Sequence, residues 1–293
     1  GSINAGDTVL LDLGLVAPQL ETAARKNKSL INGLRNQAAQ GGDKTGPVFC
    51  SFPEGMSHLT NTLRDQLKYT DIQTNIEVNS VLNHANGVKV SAQGIPDVVA
   101  DAVVIATPAN VSSKFFDSVP SVIPLLQQIE FSSVALITLG YRRSDVLNSL
   151  NGSGMLVPKN EGLLITACSW ASSKWPHWAD NKHVVFRVSV GRYGDNRFNA
   201  YDDSSLVTHV ADELKNLLGI EGEFIESRIS RWPSSFPQYK RGHETLVDSI
   251  DDQIKTHLPG VFLTGSSYRG LGIPACIRQG NETARTVTDY LGQ

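Results

Sequence analysis

The sequence predicts an α/β chain of the α+β kind, a mixed strand–helix layer interrupted by an inserted antiparallel sheet. Three observations predict it. Near the C-terminus, Val261-Phe262-Leu263 is a short apolar run, followed by a turn holding Gly265, Gly270 and Gly272 and by Pro274 at the head of a helical pattern. A second continuous apolar run lies between Asp101 and Pro108, as in a strand covered on both faces. Between these runs, residues 133–141, 154–157, 163–168 and 184–190 are successive strand candidates, and Phe186-Arg187-Val188-Ser189-Val190 alternates apolar with polar.

In chain order, residues 1–48 read as a helical segment. Leu20, Ala23, Ala24, Ser29, Leu30 and Leu34 give it interrupted apolar faces, and a polar, glycine-rich loop is expected from Gln37 to Gly46. Val48-Phe49 then leads to Pro53-Glu54-Gly55, and Met56, Leu59, Leu63 and Leu67 mark one helix face. Strands are expected over residues 76–81 and 88–90, with Asn86-Gly87 as the hairpin turn. Residues 111–230 form the inserted sheet domain. A helix closes it, with Leu206, Val210, Leu214 and Leu217 or Leu218 on one stripe and Ser204 as its cap.

Residues 231–293 resume the first style, so 49–110 and 231–293 form one discontinuous part. Arg231-Trp232, Pro237-Gln238-Tyr239 and Gly242-His243 precede a helix marked by Leu246, Ile250 and Ile254. In the last helix Ile277, Ala284, Val287 and Leu291 share a face, and proline suits the first helical position. A helix start of this kind offers free N–H groups and partial positive charge to an electron-rich ligand, and glycines admit it closely.

Composition narrows the classes. The chain has 293 residues, 40% hydrophobic and 19% charged, which is ordinary for a globular chain with a sizeable core. A net charge of −3 gives no electrostatic case for nucleic acid. Cys50, Cys168 and Cys276 lie far apart and show no metal-ligand spacing, so reduced thiols in a cytoplasmic protein are expected. No apolar run approaches the ~20 residues that span a bilayer. The opening Gly1-Ser2 pair is what a cloning scar leaves, and on that reading the chain begins inside a longer protein.

Several stretches together carry a resemblance. The final TGSSYRGLGIPACIRQG resembles the C-terminal flavin-binding signature of the amine-oxidase-like flavoproteins. The blocks at Gly154–Pro158, Leu164–Cys168, Ser172–His177 and Arg187–Arg192, then Arg231-Trp232, Pro237-Gln238-Tyr239 and Gly242-His243, resemble bacterial protoporphyrinogen/coproporphyrinogen oxidases. The opening Ile3–Asp7 resembles an internal motif of the same family. Such enzymes begin with a strand, a GxGxxG turn and a helix that hold the FAD pyrophosphate. These residues contain no such N-terminal unit, so the expected fold is a partial FAD-binding Rossmann-like layer with an inserted substrate sheet.

The resemblance implies FAD-dependent oxidation of protoporphyrinogen IX or coproporphyrinogen III to the porphyrin, in haem biosynthesis, with O₂ as acceptor. The cofactor carries the redox chemistry, so no catalytic side chain is required; the seven histidines are scattered with no partner at a telling spacing. The N–H groups of Leu271, Gly272 and Ile273 would meet the negative charge of reduced flavin, the Val78 backbone would meet the adenine, and Trp232 matches a position near the flavin. Ser153, Gly154, Leu156, Ala167 and Gly191 would line a slot for the macrocycle, with Arg192 as partner to a propionate. With its pyrophosphate segment missing, the chain is expected to bind FAD weakly and to have little activity alone. A cytoplasmic location, with the family's peripheral membrane association, follows from the same resemblance. Two alternatives stand beside it: a non-catalytic tetrapyrrole-binding module, and another amine-oxidase-like flavoenzyme.

Overall fold

A computed structural model of the chain describes residues 5–40 and 50–292, the side chains of residues 37–40 excepted. Its elements, in order, are α1 (Leu13–Val16), α2 (Pro18–Lys26), α3 (Leu30–Gln40), α4 (Ser57–Gln66), β1 (Val78–His84), β2 (Gly87–Ala92), β3 (Val98–Ala100) and β4 (Val103–Ile105). Then come α5 (Ala109–Ser112), α6 (Ile123–Gln127), β5 (Phe131–Arg142), β6 (Gly154–Leu156), β7 (Ile165–Trp170), α7 (Ala171–Lys174) and β8 (His183–Val190). The chain closes with α8 (Asp203–Leu218), β9 (Glu226–Pro237), α9 (His243–His257), β10 (Val261–Leu263) and α10 (Ile273–Leu291). The mixed helix–sheet class is the one the sequence predicts.

The chain divides into two compact units. The sheet unit is Gly1–Val9, Arg35–Thr70 and Phe131–Phe236; the turn unit is Leu10–Leu34, Asp71–Glu130 and Pro237–Gln293. The sequence reading places the inserted domain at 111–230; in the structure residues 111–130 belong with the turn unit and 231–236 with the sheet.

The sheet unit is built on five strands in the order β6-β7-β8-β5-β9. β5 pairs antiparallel with β8 from Ala135↔Val190 to Arg142↔His183, and β7 pairs antiparallel with both β6 and β8. Alternation decides what is covered. Phe186, Val188 and Val190 are buried on one face with Ile137, Leu139, Ile165 and Trp170, beneath Leu206, Val210, Leu214 and Leu218 of α8. Each such side chain, fully buried, is worth about 1.5–3 kcal/mol relative to exposure. α8 is capped by the Asp202 carboxylate accepting from Ser205 N at 2.8 Å, not by Ser204. The cap must lie outside the first helical residue, and the helix begins at Asp203.

In the turn unit, β1, β2 and β3 form a three-stranded antiparallel sheet. The two-residue hairpin turn is Ala85-Asn86, one residue earlier than expected, because Gly87 already pairs with His84. β4 and β10 form a parallel pair, Val103↔Val261 to Ile105↔Leu263, so a layer made from two distant segments is present. The expectation of cover on both faces fails for β4. Ile105 is buried but Val104 stands 46% exposed, since the pair has only two strands among the described residues.

Three other expectations change. α3 continues to Gln40, where a loop was expected from Gln37; the rest of that loop and Val48-Phe49 lie outside the described residues, as do Gly1 to Asn4 of the opening. α4 leaves Met56, Leu63 and Leu67 exposed, so its apolar spacing marks a face without marking a cover. α10 exposes Ile277 and Leu291, and its one buried residue is the polar Gln279. Among the described residues no helix is long and apolar enough to cross a membrane, and no group of three His, Cys, Asp or Glu could hold a metal ion.

Candidate functional site

In the turn unit the parallel pair delivers the chain into the glycine turn, Thr264 N donating to Ile105 O at 3.0 Å. The turn ends at Gly272, the residue before α10, with φ +90° and ψ 158° and no capping side chain. That φ favours glycine, and a Cβ built there would meet no heavy atom within 4 Å, so ligand atoms can approach the backbone. The N–H groups of Leu271, Gly272 and Ile273 have no acceptor among the described residues, and Pro274 has no N–H to offer. Behind them stands a 19-residue helix, whose dipole adds partial positive charge at this end. The arrangement fits an electron-rich ring edge.

Buried polar side chains fix the turn. Tyr239, 1% exposed, donates its hydroxyl to Ser266 O and accepts from Gly270 N, both at 2.8 Å. His243 stacks on the Tyr239 ring at 4.0 Å and 17°, and its Nε2 donates to Tyr268 O at 2.8 Å. Gln279 reaches back from α10, accepting from Arg269 N at 3.1 Å and donating to Gly270 O at 3.0 Å. Ser267 Oγ accepts from Ala109 N at 3.0 Å, and the Tyr268 hydroxyl donates to Ser112 Oγ at 3.3 Å, which ties the turn to α5. The Arg269 guanidinium pairs with Asp248 and Asp251 of α9 at 2.8 and 2.6 Å.

Burial biases the protonation of these groups. Burial lowers the His243 pKa, so the ring is neutral, and its carbonyl partner requires the proton on Nε2. Burial raises the Tyr239 hydroxyl, and raises Tyr268 to about 12, so both remain donors. A cavity of about 650 Å³ lies among α9, β10 and α10, lined in part by Tyr268, Arg269 and Gln279. Leu271, Gly272 and Ile273 do not line it. Val78 sits in the same unit at the head of β1, where the pairing register shifts between Val78 and Ser80.

In the sheet unit, the face opposite α8 carries the slot residues. Leu156, Ala167, Ser189 and Leu136 follow one another across β6, β7, β8 and β5 in a single cross-strand row. Two residues along the strands, Ser169, Arg187 and Thr138 form the next row of that face. Leu156 is 62% exposed. On β9, Ile229 packs against the core and Arg231 reaches Phe198 and Asp203, so alternation puts Trp232 on the opposite side, where it is 55% exposed. Trp232 is therefore not a buried structural indole.

Other predicted residues have structural roles. Gly154 has φ +148°, and a Cβ there would fall 2.3 Å from Cys168 O, so glycine is required for β6 to approach β7. Ser153 O accepts from Trp170 N at 3.1 Å in the same hairpin. Gly191 ends β8 against Phe198 and Ser133 O. Arg192 is 8% exposed, with Nη2 directed at Val157 O at 3.5 Å and a buried Nε that has no hydrogen-bond partner. It lies in the interior and not at a solvated rim.

The residues that sequence reasoning passed over are Tyr239, His243 and Gln279. The signal was present, since Pro237-Gln238-Tyr239, Gly242-His243 and the RQG of the last block were the distinctive stretches. Their role was not legible, because each side chain bonds to backbone atoms 9 to 31 positions away in sequence.

Known proteins with this sequence pattern and geometry can now be set beside the chain. It is 29% identical to the coproporphyrinogen III oxidase of Bacillus subtilis over 294 residues, covering 99% of this chain and 62% of that one. It is 28% identical to the Staphylococcus aureus protein of the same name, covering 98% and 63%. Among solved structures, an Exiguobacterium protein carrying the assignment protoporphyrinogen oxidase superimposes with a TM-score of 0.81 at 24% identity, covering 97% of this chain and 61% of that one. The chain thus spans less than two thirds of the length of these relatives. The sequence profile of the flavin-containing amine oxidoreductases matches residues 4–288, and the chain belongs to that family.

Proposed function

We propose that this chain supplies the flavin-facing turn and the substrate sheet of an FAD-dependent oxidase that converts coproporphyrinogen III to the porphyrin, with O₂ as acceptor, in haem biosynthesis. The observation that carries the reading is the start of α10: three backbone N–H groups without acceptors beside an open Gly272, on a turn fixed by buried side chains. A bound flavin supplies the redox chemistry. The chain's own part is to hold donors where negative charge develops, with no reorganisation when it does.

Leu271, Gly272 and Ile273 would hold the ring edge, and Tyr239, His243 and Gln279 keep those donors in place. Leu156, Ala167, Ser189 and Leu136 would form the floor under the macrocycle, with Trp232 on the same sheet. Val78 toward the adenine, Trp232 toward the flavin, and Ser153, Gly154 and Gly191 at the slot belong to this proposal, whereas Arg192, enclosed in the sheet unit, does not. The names of the bacterial relatives support coproporphyrinogen III ahead of protoporphyrinogen IX. A cytoplasmic setting with peripheral membrane contact is part of the same reading.

The test uses the protein encoded by the complete gene, purified with its flavin and given each porphyrinogen in turn. The expected result is a rise of porphyrin fluorescence matched by O₂ uptake, faster with coproporphyrinogen III. Flavin-bearing protein that binds a porphyrin without turning over either porphyrinogen would instead make this a tetrapyrrole-binding module.

A further inference from the structure

Arg187 was not among the sequence-predicted contacts, yet it stands on the open face of the sheet. Its β8 neighbour on that face is Ser189, which shares a row with Ala167 and Leu136; Arg187 lies in the next row, about 7 Å along the strand. The Trp178 ring lies against its guanidinium, 5.7 Å from Cζ to the ring centroid. Trp178 in turn packs on Trp175 at 5.4 Å, with the Lys174 ammonium 5.8 Å from the Trp175 ring.

Among the described residues no carboxylate lies within ion-pair distance of Arg187, although the face around it is half-buried. Burial lowers the Arg187 pKa, and burial followed by the charge of Arg187 lowers that of Lys174. A guanidinium that is partly buried and faces no carboxylate among the described residues is better solvated by an anion. The Trp178 ring, over which the Arg187 Cζ stands, accepts no hydrogen bond in the plane of the guanidinium, and a guanidinium fork takes a carboxylate with two parallel hydrogen bonds.

We propose that Arg187, framed by Trp178, takes a carboxylate arm of a planar apolar ligand lying over Ala167, Ser189 and Leu136. The assignment rests on the porphyrinogen reading and makes it more specific: the carboxylate contact is Arg187 on the open face, whereas Arg192 is enclosed.

The test is equilibrium binding to the flavin-bearing protein, read by porphyrin fluorescence and tryptophan quenching. Coproporphyrin III is compared with its tetramethyl ester, on wild type, Arg187→Met and Arg187→Lys. A charge-assisted pair predicts that Arg187→Met weakens the free acid by roughly tenfold to a hundredfold, that Arg187→Lys recovers part of the loss, and that the ester is indifferent to both changes. The wild-type preference for acid over ester provides a reading that needs no variant to fold. Equal binding of acid and ester by wild type, or unchanged acid binding by Arg187→Met, overturns the assignment and leaves the porphyrinogen reading standing. Wild type that binds neither porphyrin removes the porphyrinogen reading itself, and this assignment with it.

Discussion

Tyr239 shows how a single hydroxyl serves the turn. It gives its proton to Ser266 O and takes the N–H of Gly270, so two backbone groups of an irregular loop are satisfied inside the protein. Tyr239→Phe keeps the ring and its stack on His243 but strands both groups. An unsatisfied buried polar group costs about 1–3 kcal/mol. The expected outcome is a lowered urea midpoint with an unchanged slope, together with weaker retention of flavin by the complete protein. A variant as stable as wild type would show that the turn holds without Tyr239. None of this was readable from residue identities. A tyrosine beside proline and glutamine has no visible partner until the fold brings residue 270 to it, and the seven histidines showed no telling spacing because His243 bonds to a carbonyl and a ring.

At the scale of elements, periodicity located most strands and helices, and local chemistry set their ends. β8 is the clearest case, since its strict alternation gave both its existence and its two faces. Periodicity failed where it had to name the covered side. The apolar residues of α10 share a face, yet the helix buries Gln279, which bonds to the backbone of the turn, and farther along sets Tyr290 edge-on against Phe262. A comparable joint links α8 to β7. The Glu213 carboxylate accepts from Leu164 N at 2.9 Å and Ile165 N at 3.0 Å, fixing the entry of the strand that carries Ala167. Glu213→Ala is expected to destabilise the protein by about 1–3 kcal/mol, measured as a shift of the denaturation midpoint. A shift below a few tenths would mean that β7 is set by its pairing alone.

At the scale of the whole molecule, the two units carry different features: backbone N–H groups without acceptors at the start of α10 in one, and a mixed apolar–polar sheet face with Arg187 beside Trp178 in the other. The 293 residues offer the ring-edge donors but no N-terminal strand–GxGxxG–helix unit of the kind that binds a dinucleotide pyrophosphate. The expected outcome is weak uptake of FAD by these 293 residues in equilibrium dialysis, and a preparation that is yellow with one flavin per protein would refute this.

Sequence alone determined the mixed fold class, the antiparallel character of the central sheet, the strand–glycine turn–helix at the C-terminus and the family. These follow from patterns that repeat along the chain or from motifs of fixed spacing. Tertiary structure decided which residues the motifs serve. It turned Pro237-Gln238-Tyr239 and Gly242-His243 into supports of the turn, enclosed Arg192, and set Arg187 on the open face beside Trp178. The physical reason is that a side chain's partner and its exposure depend on which distant backbone the fold brings near, and no local spacing encodes that.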